Sequence, residues 1–222
     1  MSPKVDPNTP HAPRVGTLVP SDRAELLADL DWYDVLVAAD LSATDLAGLN
    51  VRGARGSSAL FVGADLQRVR VIDAIFDSCD LSGARIDDSA LTRVEFRDCR
   101  LSGVQFNAAR IGDVRFVGCR LDGASFRMLR GERIWFEDCI LTEAEFCAAE
   151  LTSARFERCN LTGTDFSQAR IPDASLIGSI LDGMRGVTGL QRPVIDATQV
   201  VSFAYSLMAV HGVVVLGQGG DE

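Results

Sequence analysis

The hydrophobic positions of this 222-residue chain recur every five residues. Stepping by five from Leu41 to Leu181 reaches 29 positions, and 27 of them are Leu, Ile, Val or Phe. Gly56 and Gly131 are the two interruptions. Ten of the eleven phenylalanines stand on this ladder: Phe61, Phe76, Phe96, Phe106, Phe116, Phe126, Phe136, Phe146, Phe156 and Phe166. The residue two before each rung is Ala, Cys, Ser, Thr or Val in 26 of the 29 cases. The other three positions of each five are mostly polar, charged or Gly. An amphipathic helix repeats at about 3.6 residues and a half-buried strand at about 2, so neither accounts for the pattern.

Five residues with two inward positions make one side of a square coil, and four sides make a turn of twenty. Cys79, Cys99, Cys119, Cys139 and Cys159 mark that turn. A repeat this short cannot close a core of its own, so the chain is expected to be an all-β solenoid whose coils stack. The large rung fills the axis, and the small residue before it lets the backbone turn the corner. At Gly131 the rung is missing, but Leu129 stands where a small residue is usual, a size exchange that roughly conserves volume. Gly56 has Ala54 beside it, which predicts an under-packed or rearranged corner.

The pattern resembles the pentapeptide-repeat family, whose consensus is roughly A-(D/N)-L-x-x. Ala39-Asp40-Leu41, Ala64-Asp65-Leu66 and Thr164-Asp165-Phe166 match it closely. The resemblance implies a right-handed quadrilateral parallel β-helix over residues 39–185. Pro172 follows a rung and is expected at a corner, since it has no N–H for a ladder.

The two ends differ from the repeats. Residues 1–20 carry Pro3, Pro7, Pro10, Pro13 and Pro20 and read as a disordered arm. Residues 21–38 read as an N-terminal cap. It would comprise a helix from Ser21 to about Leu30, capped by Ser21 and carrying Leu26, Leu27 and Leu30 on one stripe, followed by Trp32, Val35 and Leu36. Residues 186–217 form a C-terminal module, and 218–222 a tail. Asp196 can cap a helix running to about His211, with Val200, Phe203, Ala204, Leu207 and Val210 on one side. Gly212 would end the helix, and Val213 to Leu216 read as a short strand. The apolar run from Val200 to Leu216 falls short of the roughly 20 residues a membrane span needs. Its apolar surface should therefore be buried against a partner, most simply a second copy. The tail is similar to that of the Qnr/MfpA-type gyrase-protecting members in Asp196, Gln199, Gly212, Val213, Val214, Val215, Leu216 and Gly217. That similarity implies a homodimer through Val200, Phe203, Ala204, Leu207, Val210, Val213 and Val215. The unbroken ladder leaves no room for long projecting loops, which is closer to the MfpA type.

Charge narrows the function. The net charge is −9: −3 before residue 39, −4 over 39–185 and −2 beyond. That balance lacks the basic footprint of a direct nucleic-acid binder. The N-terminus has no apolar signal segment, which points to the cytoplasm, where thiols stay reduced. The cysteine column is too linear for a metal site and is read as small buried filling in place of Ala. Cys147, off the period and just after Phe146, should face outward and is the more reactive thiol. Phosphate loops, metal-ligand spacings and nucleophilic triads do not occur, and His11 and His211 stand alone. The expectation is a protein that is not an enzyme and takes no cofactor or metal, with no membrane association.

Function then falls to the outer faces. Summed to residue 184, the faces of Leu81 and Ile86 each total −3, that of Leu91 +2 and that of Phe96 −1. The candidate partner surface is Asp80, Asp122, Glu143 and Asp182 on the first face. On the second it is Asp65, Asp87, Asp88, Glu145 and Asp165. Asp40 and Asp45 extend the two faces, and Arg70, Arg110, Arg130 and Arg170 line the Leu91 face. The family resemblance implies that such faces mimic DNA, occupy the DNA-binding saddle of the type II topoisomerase DNA gyrase, and protect it from quinolones. Seven coils at strand spacing span roughly 35 Å, over which duplex DNA carries about twenty charges. The repeats carry far fewer, so a local acidic patch is the stronger form of the idea. A rigid scaffold for another protein partner is the alternative.

Overall fold

The computed structural model describes residues 7–213. Residues 41 to 180 wind into a parallel β-solenoid of about seven turns, and each coil pairs with the next at a register of twenty. Strands β1 (Val19–Ser21), β2 (Asp31–Tyr33) and β3 (Val35–Val37) begin the stack, with helix α1 (Arg23–Ala28) between β1 and β2. Six eight-residue strands follow: β4 (Asn50–Ser57), β5 (Arg70–Asp77), β6 (Ala90–Arg97), β7 (Arg110–Val117), β8 (Arg130–Glu137) and β9 (Glu150–Glu157). Their pairing is parallel throughout, for example Val71↔Leu91↔Ile111 and Phe76↔Phe96↔Phe116. These strands form two adjacent sides of the square. The other two sides are tight turns joined by isolated parallel bridges such as Asp80↔Arg100 and Arg85↔Gln105.

The corner mechanism differs from the sequence expectation. The backbone turns at the residue two past each rung, which adopts the left-handed region, as at Gly63 (φ 62°) and Asp73 (φ 59°). The small residue before the rung points inward and makes room for it. Both inward columns are buried, with Phe96, Phe106, Phe116, Phe126, Phe136, Phe146, Phe156 and Phe166 among the largest fully enclosed side chains. The phenylalanines form two interlocked stacks. Phe96, Phe116, Phe136 and Phe156 lie nearly parallel at centroid distances of 4.8 to 5.0 Å. Phe106, Phe126, Phe146 and Phe166 form the second stack, and the two meet edge to face, as Phe116 does with Phe126 at 6.3 Å. Offset and T-shaped contacts are the favoured aromatic geometries.

The two missing rungs are filled differently. At Gly131 a Cβ would stand 2.6 Å from the δ-methyl of Ile134 and 2.3 Å from the Ile111 carbonyl oxygen. Ile134 therefore fills the vacancy together with a closer backbone approach, and Leu129 is not its sole compensation. At Gly56 the space is taken by the Phe76 ring and the Cys79 sulfur, 2.9 and 3.0 Å from where a Cβ would lie. Nearby, where the rungs are Val51 and Val71 in a column that later holds the larger Leu91 and Ile111, a narrow apolar cavity of about 40 Å³ remains.

The thiol column does more than fill space. Cys99, Cys119, Cys139 and Cys159 each donate to the rung carbonyl of the preceding coil, on Phe76, Phe96, Phe116 and Phe136, at 3.3 to 3.4 Å. Ser89, Thr164 and Ser179 make the same bond from equivalent positions, to Leu66, Leu141 and Phe156. A small residue with a donor can thus replace Ala at these positions and bond the coil before it. All six cysteines are free thiols. The Cys119 thiol and burial hold Cys99 up at about 12 against the opposing Cys79 thiol, and neighbouring thiols and burial raise Cys79 and Cys139. Half-buried Cys147 is also raised, first by burial and then by Asp165, so it is not primed as a nucleophile.

The ends are closed by specific residues. Asp22, not Ser21, caps α1: it accepts from the Glu25 N–H while Glu25 accepts from the Asp22 N–H. Ser21 is drawn into β1, paired with Val37. Leu26 is buried, whereas Leu27 and Leu30 are exposed, so the expected three-residue stripe reduces to one. Trp32 is buried, and its indole N–H donates to the Leu26 carbonyl at 3.0 Å. At the other end, segment 170–177 forms turns in place of an eight-residue strand. Pro172 stands where Ile72 and Thr92 occupy strands, and it cannot donate to a ladder. Gln199 then plugs the last coil: its buried amide donates to the carbonyls of Leu176 and Ser179 at 2.7 and 2.6 Å. Asp196 caps this segment reciprocally with Gln199, and helix α2 (Val200–Val210) follows. Gly212 (φ 68°) closes α2, with Val213 N–H bonded to Met208 and Gly212 N–H to Ala209, a Schellman arrangement.

Residues 7–20 differ from the disordered arm expected of a proline-rich segment. They run down the side of the solenoid and are tied to it at Ser153, Asp113 and Asp73.

Candidate functional surface

The rungs fill the axis, so polar chemistry is confined to the outside. Among the described residues no group of three His, Cys, Asp or Glu is arranged to hold a metal ion. No helix among them is long and apolar enough to cross a membrane. Surface shape follows from the repeat: each face is a flat array of columns about 4.8 Å apart along the axis, so a side chain's neighbours are residues about twenty away.

That spacing decides the electrostatics of the acidic faces. Five of the nine candidate carboxylates meet an arginine. Asp65 meets Arg85 at 4.0 Å, Asp122 meets Arg120 at 3.5 Å, and Glu145 meets Arg127 at 3.2 Å. Arg185 reaches both Asp165 at 3.3 Å and Glu143 at 3.7 Å. Asp122 is held below the ordinary carboxylate range, first by the Ser102 hydroxyl. Asp182 accepts from Ser202 on α2 at 2.7 Å, so it supports the end module. Asp80, Asp87 and Asp88 are the remainder. Asp80 accepts from Ser82, and Asp87 from the Asn107 N–H. Among the described residues none of the three has an ion pair. They occupy two adjacent faces of a single coil, the densest uncancelled acid on the candidate faces. Of the Leu91-face arginines, Arg130 meets Glu150 at 3.5 Å.

A more extensive charge network lies on the Phe96 face, which the sequence sums left nearly neutral. Glu95 meets Arg97 and Arg115, Arg115 also meets Glu137, and Arg158 bridges Glu137 and Asp138. Trp135 lies among these, with the Arg155 guanidinium 4.4 Å and that of Arg115 5.7 Å from its ring centroid. Sequence reasoning missed this cluster because all its pairs except Glu95–Arg97 are 20 to 22 residues apart. The spacing of the charges modulo twenty was the signal that could have found it.

On α2 the predicted interface splits. Val200, Leu207 and Val210 are exposed, as is Val213 beyond the helix, whereas Phe203 packs against the solenoid core and Ala204 is half-buried. Val201, Tyr205 and Met208 join the exposed set. Val214, Val215, Leu216 and Gly217, including most of the expected strand, lie outside the described residues.

This geometry defines a solenoid of pentapeptide coils, and the comparisons agree. The pentapeptide repeat region family model matches residues 57–126 and 89–158, and the model of pentapeptide repeats in eight copies matches residues 36–71. The chain belongs to the pentapeptide-repeat family. Among solved structures it is similar to a trypsin-treated variant of QnrB1, described as a plasmid-mediated fluoroquinolone resistance protein. Identity is 27%, covering 84% of this chain and 90% of that one, with a TM-score of 0.46. Full-length QnrB1 gives 18% identity, 82% and 100% coverage and a TM-score of 0.46. HetL, a pentapeptide repeat protein involved in heterocyst differentiation regulation from the cyanobacterium Nostoc sp. strain PCC 7120, gives 18%, 78% and 94%, and 0.36. No curated protein matches the sequence.

Proposed function

We propose that this chain is a non-enzymatic binding protein. It would dock on a type II topoisomerase, DNA gyrase, through an acidic patch that stands in for a short stretch of DNA backbone. The observation that carries this reading is the uncancelled group Asp80, Asp87 and Asp88 on two adjacent faces of one coil. A cationic DNA-binding surface would gain from three carboxylates that need no arginine displaced before binding. The exposed apolar side of α2 supports a homodimer, which would present two such patches on one long rod. Pairing of the other acidic candidates with arginine limits the mimicry to this patch.

The test is inhibition of gyrase supercoiling by the purified protein over a salt series. Inhibition should weaken as salt rises. An Asp80→Asn, Asp87→Asn, Asp88→Asn variant should lose most of it while keeping its thermal midpoint within a few degrees. No inhibition at tens of micromolar would rule out gyrase as the target. The second reading, a scaffold for another protein partner, is favoured by the Phe96 face. There a partly buried network of Arg and Glu surrounds half-buried Trp135, a combination suited to protein interfaces.

A further inference from the structure

The arm meets the solenoid in a matched register. Asn8, His11 and Arg14 are three residues apart, and each directly follows a proline: Pro7, Pro10 and Pro13. Their partners Ser153, Asp113 and Asp73 are forty residues apart, which is two coils. Three residues of polyproline II advance about 9.3 Å, and two coils at strand spacing rise about 9.4 to 9.8 Å. The two repeats therefore coincide from His11 to Arg14, where the arm runs without a turn, and the chain turns at Pro7–Thr9 where Asn8 meets Ser153. A proline at every third position also pre-sets the extended conformation, which lowers the entropy lost on docking.

The contacts are built into the side of the rod. The His11 N–H donates to Asp113 Oδ1 at 3.0 Å, with His11 Nδ1 at 2.9 Å from the same oxygen. The Arg14 N–H donates to Asp73 Oδ1 at 2.9 Å. Ser153 Oγ donates to Asn8 Oδ1 at 3.0 Å. Pro10 is buried. Asp73 and Asp113 are themselves buried, each in a left-handed corner, and each is held by an arginine fork from the next coil, Arg93 and Arg133. A buried carboxylate needs more donors than one guanidinium supplies, and the arm provides the remaining N–H.

We propose that the column Asp73–Asp113–Ser153 is a recognition surface for polyproline II segments. Its resident ligand is the chain's own residues 7–14, and it accepts the same sequence in trans when the resident is weakened. The partner chemistry is specific: prolines three residues apart, each followed by a residue that offers an N–H or a side-chain acceptor to alternate coils. This surface is independent of the acidic patch on the opposite sides of the rod.

The experiment uses the full-length chain throughout. In wild type, backbone amide exchange at His11 and Arg14 should be at least about tenfold slower than in a free peptide, the scale of a hydrogen bond to a charged acceptor. Replacing Asp73→Gly and Asp113→Gly keeps the left-handed corners, since Gly53 occupies the same column position. It should return both amides to free-chain rates while Phe116 stays protected. Free-chain rates in wild type, or rates unchanged by the double substitution, overturn the proposal. The second arm weakens the resident with Pro10→Gly and Pro13→Gly and titrates a synthetic peptide of residues 7–17. Saturable shifts at the amides of Asp73, Asp113 and Ser153 are expected, with a permuted peptide lacking the three-residue proline period about tenfold weaker. Equal binding of both peptides, or binding of neither up to about 10 mM, the effective concentration scale of a short tether, overturns it.

Discussion

Replacing Phe116→Ala probes the feature on which the fold rests. The ring is fully buried, lies 4.9 Å from Phe96 and 4.8 Å from Phe136 in parallel stacks, and meets Phe106 and Phe126 edge to face. Truncating a core phenylalanine costs about 3–5 kcal/mol, and each well-formed aromatic pair adds roughly 0.5–1.5 kcal/mol beyond area. The upper part of that range, about 4–5 kcal/mol, is expected because four rings lose a partner and the flanking coils cannot slide together without breaking register. Phe76→Ala is the control: that ring is partly exposed, stacks on Phe96 at 5.1 Å, and has Gly56 in the coil before it. Its loss should cost about 2 kcal/mol, near the bare transfer value. Urea unfolding followed by far-ultraviolet circular dichroism measures both. In a solenoid the central substitution should also split the transition, because each coil is coupled only to its neighbours. Equal losses from the two substitutions, or a loss below about 2 kcal/mol at Phe116, would refute the stacked-column account.

Three further outcomes are expected. Val71→Ile should stabilise by about 0.8 kcal/mol, one buried methylene, because Val71 lines the cavity of about 40 Å³ and its column elsewhere holds Leu91 and Ile111; an unchanged urea midpoint would show the space already filled. The acid limb of the stability profile should report Asp73 and Asp113. At Asp73 the Arg93 fork lowers the carboxyl; at Asp113 burial opposes ionisation but Arg133 and the His11 donors outweigh it, so both sit below the ordinary range. The folded chain thus binds fewer protons than the unfolded one, and this stabilisation is complete at neutral pH and fades as pH falls below about 4. The Asp73→Gly, Asp113→Gly variant should show a shallower fall in thermal midpoint over that window. Val201→Glu with Met208→Glu should give a monomer by light scattering with the solenoid intact, since both side chains face outward from α2. This is a cleaner test of the proposed dimer than removing the tail after Pro193, which would also strip Gln199 from the last coil.

The sequence displays the coil because its period of five lies in apolar rungs that no helix or strand reproduces. It displays less well what depends on contacts between coils. Ion pairs such as Arg127–Glu145 and Arg115–Glu137 join residues 18 and 22 apart, so a face-by-face charge sum counts as free acid what arginine already cancels. Gly131 shows the same limit for packing: its vacancy is filled by Ile134 from the neighbouring side. Ser21 and Asp22 are both acceptable caps by composition, and the choice falls to Asp22 because Glu25 stands three residues on and Ser21 pairs in β1. The arm escaped notice for a physical reason. Proline-rich composition reads as disorder in isolation, and a period of three acquires meaning only beside a surface whose own repeat is about 4.8 Å.

The fastened arm also acts as a ruler. A stack of equivalent coils has no intrinsic length, since a block of twenty residues can be duplicated or lost with every interface preserved in kind. Seven residues from Asn8 to Arg14 have no such latitude. Losing or gaining one coil between Asp73 and Ser153 would offset the tether by a full strand spacing and strand its donors opposite the wrong side chains. Growth or shrinkage of this rod is therefore free at its ends and fixed in its middle.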